Sequence, residues 1–263
     1  IDLRFSTDSR QETMNKKTIC ILLTVIMVPA GWAASAAAAP KVAPVDYRAC
    51  HFRDGKTMAD LDKVSAKFRE YANKSDVGYA AWTLTPQFQT DLDLDVAWMG
   101  AWPDSEAFGV SMERWAKEGG ALRAEFSQVI DCSNRHMMVA SYPINAPEGT
   151  PEDGMWLFSA CNLNEGVTIP QAYAAHLKAG ELMKAMGSLS ISWMMVPGIG
   201  AGPEDPDYYH ALAFYRYSDL GASLEMFLNK GGQLKRAEIL NKVSSCATPV
   251  LFDAVSVRAR DER

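Results

Sequence analysis

The sequence predicts an α+β protein built from two consecutive βαββαβ units. Three observations predict it. The stretch Tyr47–Gly55, YRACHFRDG, returns 111 residues later as Phe158–Gly166, FSACNLNEG. Within each copy, apolar residues alternate between the period of a strand and that of an amphipathic helix. Four cysteines fall one pair to a copy, at equivalent places.

The likeness of the copies runs beyond the nonapeptide, as an internal repeat should. Cys50, Gly55, Thr57, Trp82 and Pro86 recur as Cys161, Gly166, Thr168, Trp193 and Pro197. SMERWAKEGG (Ser111–Gly120) answers SLEMFLNKGG (Ser223–Gly232), and VIDC, ending at Cys132, answers VSSC, ending at Cys246. Between the copies, NAPEGTPEDG (residues 145–154) has the Pro, Gly and acid content of a linker. The expected domains are 45–144 and 155–259, each of about 100 residues, a usual domain size.

The elements follow in order. Val45–Phe52 reads as a strand stopped by Arg53-Asp54-Gly55. Met58, Leu61, Val64, Phe68 and Tyr71 then fall at helical spacing and predict a helix over 57–73. Tyr79–Thr85 and Asp95–Trp102 are rich in β-formers and flank the polar loop QFQTDLD. Asp104 is placed to cap a helix reaching Lys117, which Gly119-Gly120 stops before a shorter helical piece. Met137–Tyr142 supplies the last strand. In the second copy the strands are Met155–Leu163, Ser190–Val196, Tyr208–Tyr217 and Val250–Val257, and the first helix runs over 168–186. A βαββαβ unit of these lengths is ferredoxin-like.

Residues 1–39 are read as upstream residues and a secretory signal. Met14 opens a segment with Lys16 and Lys17, an apolar run Ile19–Val28 and a small-residue cleavage site, Ala34-Ser35-Ala36. The run is too short to span a bilayer, which needs roughly 20 residues. Cys20 lies inside it rather than after it, which argues against a lipoprotein. The expected mature chain is periplasmic or secreted, with no transmembrane segment. Without residues 1–39 it carries 22 Lys and Arg against 29 Asp and Glu, a net of −7. An acidic chain without a basic cluster is a poor nucleic-acid binder, because phosphate contacts need Lys and Arg.

In an exported protein the symmetric cysteines argue for disulfides, and duplication favours Cys50–Cys132 and Cys161–Cys246. The ferredoxin-like topology agrees, since its last strand lies antiparallel beside the first and brings the start of one to the end of the other. The rival is a Cys/His metal site, because His51 and His136 lie near Cys50 and Cys132. The second copy has Asn162 and Val250 at those places, so no metal is expected.

Two βαββαβ repeats in one chain resemble the dimeric α/β-barrel superfamily, which includes antibiotic-biosynthesis-type monooxygenases, NIPSNAP-like proteins and haem-dependent chlorite-dismutase-like proteins. The resemblance covers residues 45–259 at the level of topology and matches no catalytic motif. It implies a pseudo-dimeric α/β barrel whose four-stranded sheets face each other, and a ligand held between sheet and helices. The phrases AWTLTP (Ala81–Pro86) and DVAWMGAWPD (Asp95–Asp104) also resemble secreted bacterial proteins of uncharacterised type.

Candidate site residues come from the aromatics and histidines. Strand alternation places Trp98 and Trp102 on one face with Gly100 between them, leaving a slot for a flat apolar ligand. Trp82 and Trp193 occupy equivalent strand positions, and core packing is the plainer reading of all four. His210 shares a strand face with Leu212, Phe214 and Arg216, a set suited to a carboxylate-bearing apolar molecule. His176 falls on a helix stripe and reads as a core-edge histidine. The loop PGIGAGPEDPDY, Pro197–Tyr208, is either a lid over one end of a pocket or simple drift.

No catalytic residue is identified and no cofactor is required, haem entering by the superfamily resemblance alone. The leading expectation is a protein that binds a small apolar or aromatic ligand in or beside the barrel. The alternatives are a cofactor-independent or haem-dependent oxidoreductase, and an envelope or extracellular interaction protein. An oligomer is compatible with each.

Overall fold

A computed structural model describes residues 40–74, 78–89, 92–147 and 149–259. The signal read over residues 1–39 lies outside them. The first half runs β1 (Ala43–Phe52), α1 (Met58–Asn73), β2 (Ala80–Phe88), β3 (Val96–Ala101), α2 (Ser105–Glu118), α3 (Gly120–Ser127) and β4 (Ile130–Asn145). The second runs β5 (Gly154–Leu163), α4 (Ile169–Ala185), β6 (Ile191–Pro197), β7 (Tyr208–Phe214), α5 (Tyr217–Asn229), α6 (Gly232–Leu240), β8 (Ser244–Cys246) and β9 (Val250–Arg258).

The strands pair in the order β4-β1-β3-β2 in the first half and β9-β5-β7-β6 in the second. Antiparallel pairing of β2 with β9, and of β4 with β6, joins the two sets into a closed ring of eight strands. Closure leaves none of those strands as an open edge. The barrel interior is a core of alternate strand residues, among them Val45, Trp82, Leu84, Met99, Val139, Trp156, Met195 and Phe252. The outer faces are covered by α1–α3 on one half and α4–α6 on the other, each over its own apolar clusters.

Local chemistry explains the repeated elements. Gly55 and Gly166 adopt positive φ, at 72° and 75°, in the turns between strand and helix, where a side chain would be strained. The helices that follow begin on capping boxes, Thr57 with Asp60 and Thr168 with Gln171. Asp104 caps α2 as expected, its carboxylate accepting from the Ala107 amide at 2.9 Å. At the ends of β1 and β5, the amides of Phe52 and Leu163 donate to Asp95 and Asp207.

Both expected disulfides are present, Cys50–Cys132 and Cys161–Cys246. A register shift between Ala49 and His51 brings Cys50 opposite the cysteine at the start of β4. In the second half the same strand is cut in two. β8 pairs Cys246 with Cys161, and β9 resumes after Pro249, which has no amide hydrogen for the ladder.

Several boundaries differ from the sequence reading: β2 runs three residues past Thr85 to Phe88, and β4 three past Tyr142 to Asn145. β4 begins seven residues before Met137, because Phe52 pairs with Ile130 and carries the polar DCSNRH stretch into the ladder. β7 ends at Phe214 rather than Tyr217, since Arg216 is already the N-cap of α5. Among the described residues, no helix is long and apolar enough to cross a membrane.

Candidate functional site

The six candidate side chains fall in four separate places. Trp82 and Trp193 point into the barrel, where Trp156 joins them. The Trp156 and Trp193 rings stack at 4.8 Å and 12°, and Trp82 lies 6.2 Å from Trp156. The Trp82 indole donates to the Pro151 carbonyl at 3.0 Å. These rings line a small cavity of about 190 Å³ at one barrel end.

The opposite barrel end holds a cavity of about 550 Å³, walled by apolar side chains such as Met99, Met137, Phe158 and Phe252. The loop after β6 supplies Glu204, Asp205 and Pro206 to its lining. Arg135 and the Tyr209 hydroxyl both donate to Asp205, and so does the Gly202 amide. Burial alone would raise the Asp205 carboxyl, but the Gly202 amide and the Arg135 guanidinium hold it below the ordinary carboxylate value. The loop is thus fastened across part of the cavity.

Trp98 and Trp102 share one face, as alternation requires, and that face is the outer one, beneath α1–α3. The slot between them is already filled. A Cβ on Gly100 would meet the Tyr79 hydroxyl at 1.9 Å, so the glycine exists to admit that phenol. The Trp98 indole donates to Tyr79 Oη at 2.9 Å, and Tyr79 donates in turn to buried Asp46 at 3.4 Å. Burial, with the Asp46 charge beside it, pushes the Tyr79 phenol well above its ordinary value.

Open space lies beside this filled slot, as a cavity of about 300 Å³ between sheet and helices. Phe68 is the hub of its walls, meeting Trp98, Tyr79, Trp115 and Phe126 edge to face at 5.2–6.2 Å. The cavity exists because α2 stands off the sheet. No residue of α2 is fully buried, whereas α5 in the second half buries Leu220, Ser223 and Met226. Arg114 lies over the Tyr71 ring and Arg123 over Trp115, each at 5.6 Å. Trp102 is 4% exposed, and its indole N–H is buried without a hydrogen-bond acceptor. The donor is thus unmet, on a residue that lines the cavity.

His210 faces a fourth cavity, of about 270 Å³, under α4–α6 with Leu212 and Phe214. Arg216 is not there. It is exposed on the cap of α5 and pairs with Asp219. The arginine beside His210 is Arg236 of α6, which donates to His210 Nδ1 at 3.3 Å. His176 is buried rather than at a core edge. Its ring stacks on His210 at 4.6 Å, and its Nε2 bonds the Tyr208 hydroxyl at 2.9 Å. Burial lowers both imidazoles, His176 to about 3 and His210 well below its ordinary value, so both are neutral.

Neither other histidine joins a metal set. His51 sits beside Asp93 and Asp95, His136 beside Asp46, and no metal-binding group of three side chains occurs among the described residues. A haem does not fit the histidines present. The aromatic and barrel cavities have no histidine in their linings. The cavity with His176 and His210, at about 270 Å³, falls below the roughly 300–1,000 Å³ of sites for drug-sized ligands.

No protein-family model matches this sequence, and no protein of curated function matches it. Solved structures do share the architecture. A candidate chlorite dismutase is 10% identical, with a TM-score of 0.51 over 82% of this chain and 96% of its own. A candidate monooxygenase from Fusobacterium nucleatum is 8% identical, with a TM-score of 0.53 over 85% and 95%. An anthrone oxidase-like protein is 9% identical, with a TM-score of 0.51 over 84% and 94%. At these identities the likeness shows the fold alone, a closed antiparallel barrel with helices on its outer faces.

Proposed function

We propose that this chain is an exported binding protein that holds a flat apolar or aromatic molecule in the aromatic cavity of its first half. The observation that carries this reading is the buried, acceptor-less indole N–H of Trp102 in a cavity of aromatic walls. A ligand with one hydrogen-bond acceptor on an aromatic frame would meet both features, and the arginines at Tyr71 and Trp115 would tolerate an acidic substituent. The two long-range disulfides support an oxidising compartment. The β4-β1-β3-β2 order, answered by β9-β5-β7-β6, supports descent from two ferredoxin-like repeats.

The test is a fluorescence titration with 2-naphthol. The wild type is expected to bind saturably, tighter than ~1 mM, or about −4 kcal/mol. Trp102→Phe keeps an aromatic ring and removes the donor, and should weaken binding at least fivefold without unfolding the protein. Equal affinity in Trp102→Phe and in Phe68→Leu would reduce the cavity to core packing.

A second reading, an oxidoreductase working without a bound cofactor, is favoured by the shared fold of the monooxygenase and oxidase-like structures. It predicts oxygen uptake when an anthrone is added to the purified protein. An anthrone that binds with no uptake above the buffer rate sinks it.

A further inference from the structure

The cavity under α4–α6 occupies the place in the second half that the aromatic cavity holds in the first, but its lining has changed character. At sequence offsets of 111 or 112, Arg48, Phe68, Tyr79 and Trp98 are answered by Ser159, Ala179, Ser190 and His210. Rings have given way to hydroxyls and an imidazole. Ser192 and Ser223, both buried, also face it. Its charged lining consists of Arg236 and, at the exposed mouth, Lys184; no Asp or Glu contributes to the wall. The aromatic cavity also has cations and no acid in its lining, but there Arg48 and Arg114 pair with Asp46 and Glu118.

Arg236 is unlike them. Among the described residues it forms no ion pair, and its hydrogen bond goes to His210 Nδ1. Burial pulls its guanidinium below the ordinary value, with no carboxylate nearby to offset the cost. Because a guanidinium only donates, His210 Nδ1 must be the accepting nitrogen, and the ring proton sits on Nε2. The imidazole therefore offers a further donor. His210 is in turn braced by the stacked His176, which the Tyr208 hydroxyl holds, and Tyr208 bonds Ser244 at 2.5 Å. The rest of the wall is apolar, from Met183, Leu212, Phe214 and Leu220.

We propose that this cavity is a second binding site, for a small organic carboxylate whose apolar tail lies against Leu212 and Leu220 and whose head group pairs with Arg236. The carboxylate supplies the anion that Arg236 lacks, accepts from the neighbouring hydroxyls, and enters past Lys184. The site is independent of the aromatic cavity, and its test does not rest on that reading.

The experiment is calorimetric titration of the full chain with hexanoate and, separately, with hexanamide, which has the same tail without the charge. Hexanoate is expected to bind at least tenfold more tightly than the amide. Arg236→Met should lose that preference and melt no lower than the unliganded wild type, because a buried cation without a counter-ion has been replaced by an apolar chain of similar length. Equal affinity for acid and amide overturns the proposal, as does no hexanoate binding at ~20 mM, well above ordinary ligand-site constants. A hexanoate affinity unchanged in Arg236→Met does the same. A fall in Tm of more than about 4 °C in that variant would mark Arg236 as a structural strut and also overturn it. If the variant does not fold, the acid–amide comparison in the wild type still decides.

Discussion

Lowering the pH from 7.5 to 5.0 should destabilise this protein well before its carboxylates titrate. His176 is 1% exposed, and the groups facing it are the Tyr208 hydroxyl and His210 on β7, with Arg236 of α6 nearby and Ser244 of β8 behind Tyr208. None carries a negative charge that would favour an imidazolium. The folded value of about 3 lies below the ordinary 6.5, so between those limits the unfolded chain takes up a proton that the folded one refuses. Stability from this group is complete above pH 6.5 and falls with pH by about 1.4 kcal/mol per unit. From pH 6.5 to 5.0 the loss is about 2 kcal/mol from His176, and His210 adds to it in the same direction. Urea unfolding followed by tryptophan fluorescence at the two pH values measures the difference. His176→Gln removes one of the titrating groups and should flatten the dependence. An unfolding free energy equal at both pH values within ~0.5 kcal/mol would refute the reasoning, since a buried neutral imidazole cannot leave stability indifferent to pH in this range.

Three further outcomes are expected. Replacing Cys50 and Cys132 by serine opens a link between residues 82 apart, which should cost about 4 kcal/mol in the chain-entropy model, read as a fall in denaturant midpoint. Gly100→Ala drives a methyl group into Tyr79 and Asp46, and should lose about 1–3 kcal/mol of stability while shifting the near-ultraviolet signal of Trp98. Asp205→Asn loosens the loop after β6, so limited proteolysis between residues 198 and 207 should speed up severalfold at pH 7. In the wild type the Asp205 contribution is complete above pH 3.8 and is lost only as pH falls through its lower folded value.

The fold was legible because its signals are local and occur twice. Apolar spacing located the helices, and the cysteine pairs agreed with the strand order that the ladder shows. What escaped was set by tertiary placement. The start of β4 reads as a polar loop, since DCSNRH keeps its ladder bonds while several of its side chains stay exposed. Arg216 follows His210 at strand spacing, but β7 ends two residues earlier and the arginine turns to Asp219. Arg236 gave no signal, because a cation on a short helix looks like a solvated face until α6 is laid against α4 and α5 and the side chain reaches His210. Tyr79 was equally hidden. Only the pairing of β2 with β3, Ala81 opposite Gly100, brings its hydroxyl over the glycine that the sequence left as an empty slot.

The closed ring also explains where variation is tolerated. Each four-stranded set would alone expose two edges, and it closes only by lending β2 and β4 to partners from the other half. The interior stack of Trp82, Trp156 and Trp193 draws on β2, β5 and β6, and so spans both halves. A change there disturbs two sheets at once and is felt as lost packing. The outer faces carry less of that obligation, although α1 also packs on β9 and α4 on β4. The four-ring surround of Phe68 on one side and the Arg236–His210 pair on the other are consistent with that freedom. Substitutions in the two outer cavities should therefore alter binding with little loss of stability, while substitutions in the tryptophan stack should do the reverse.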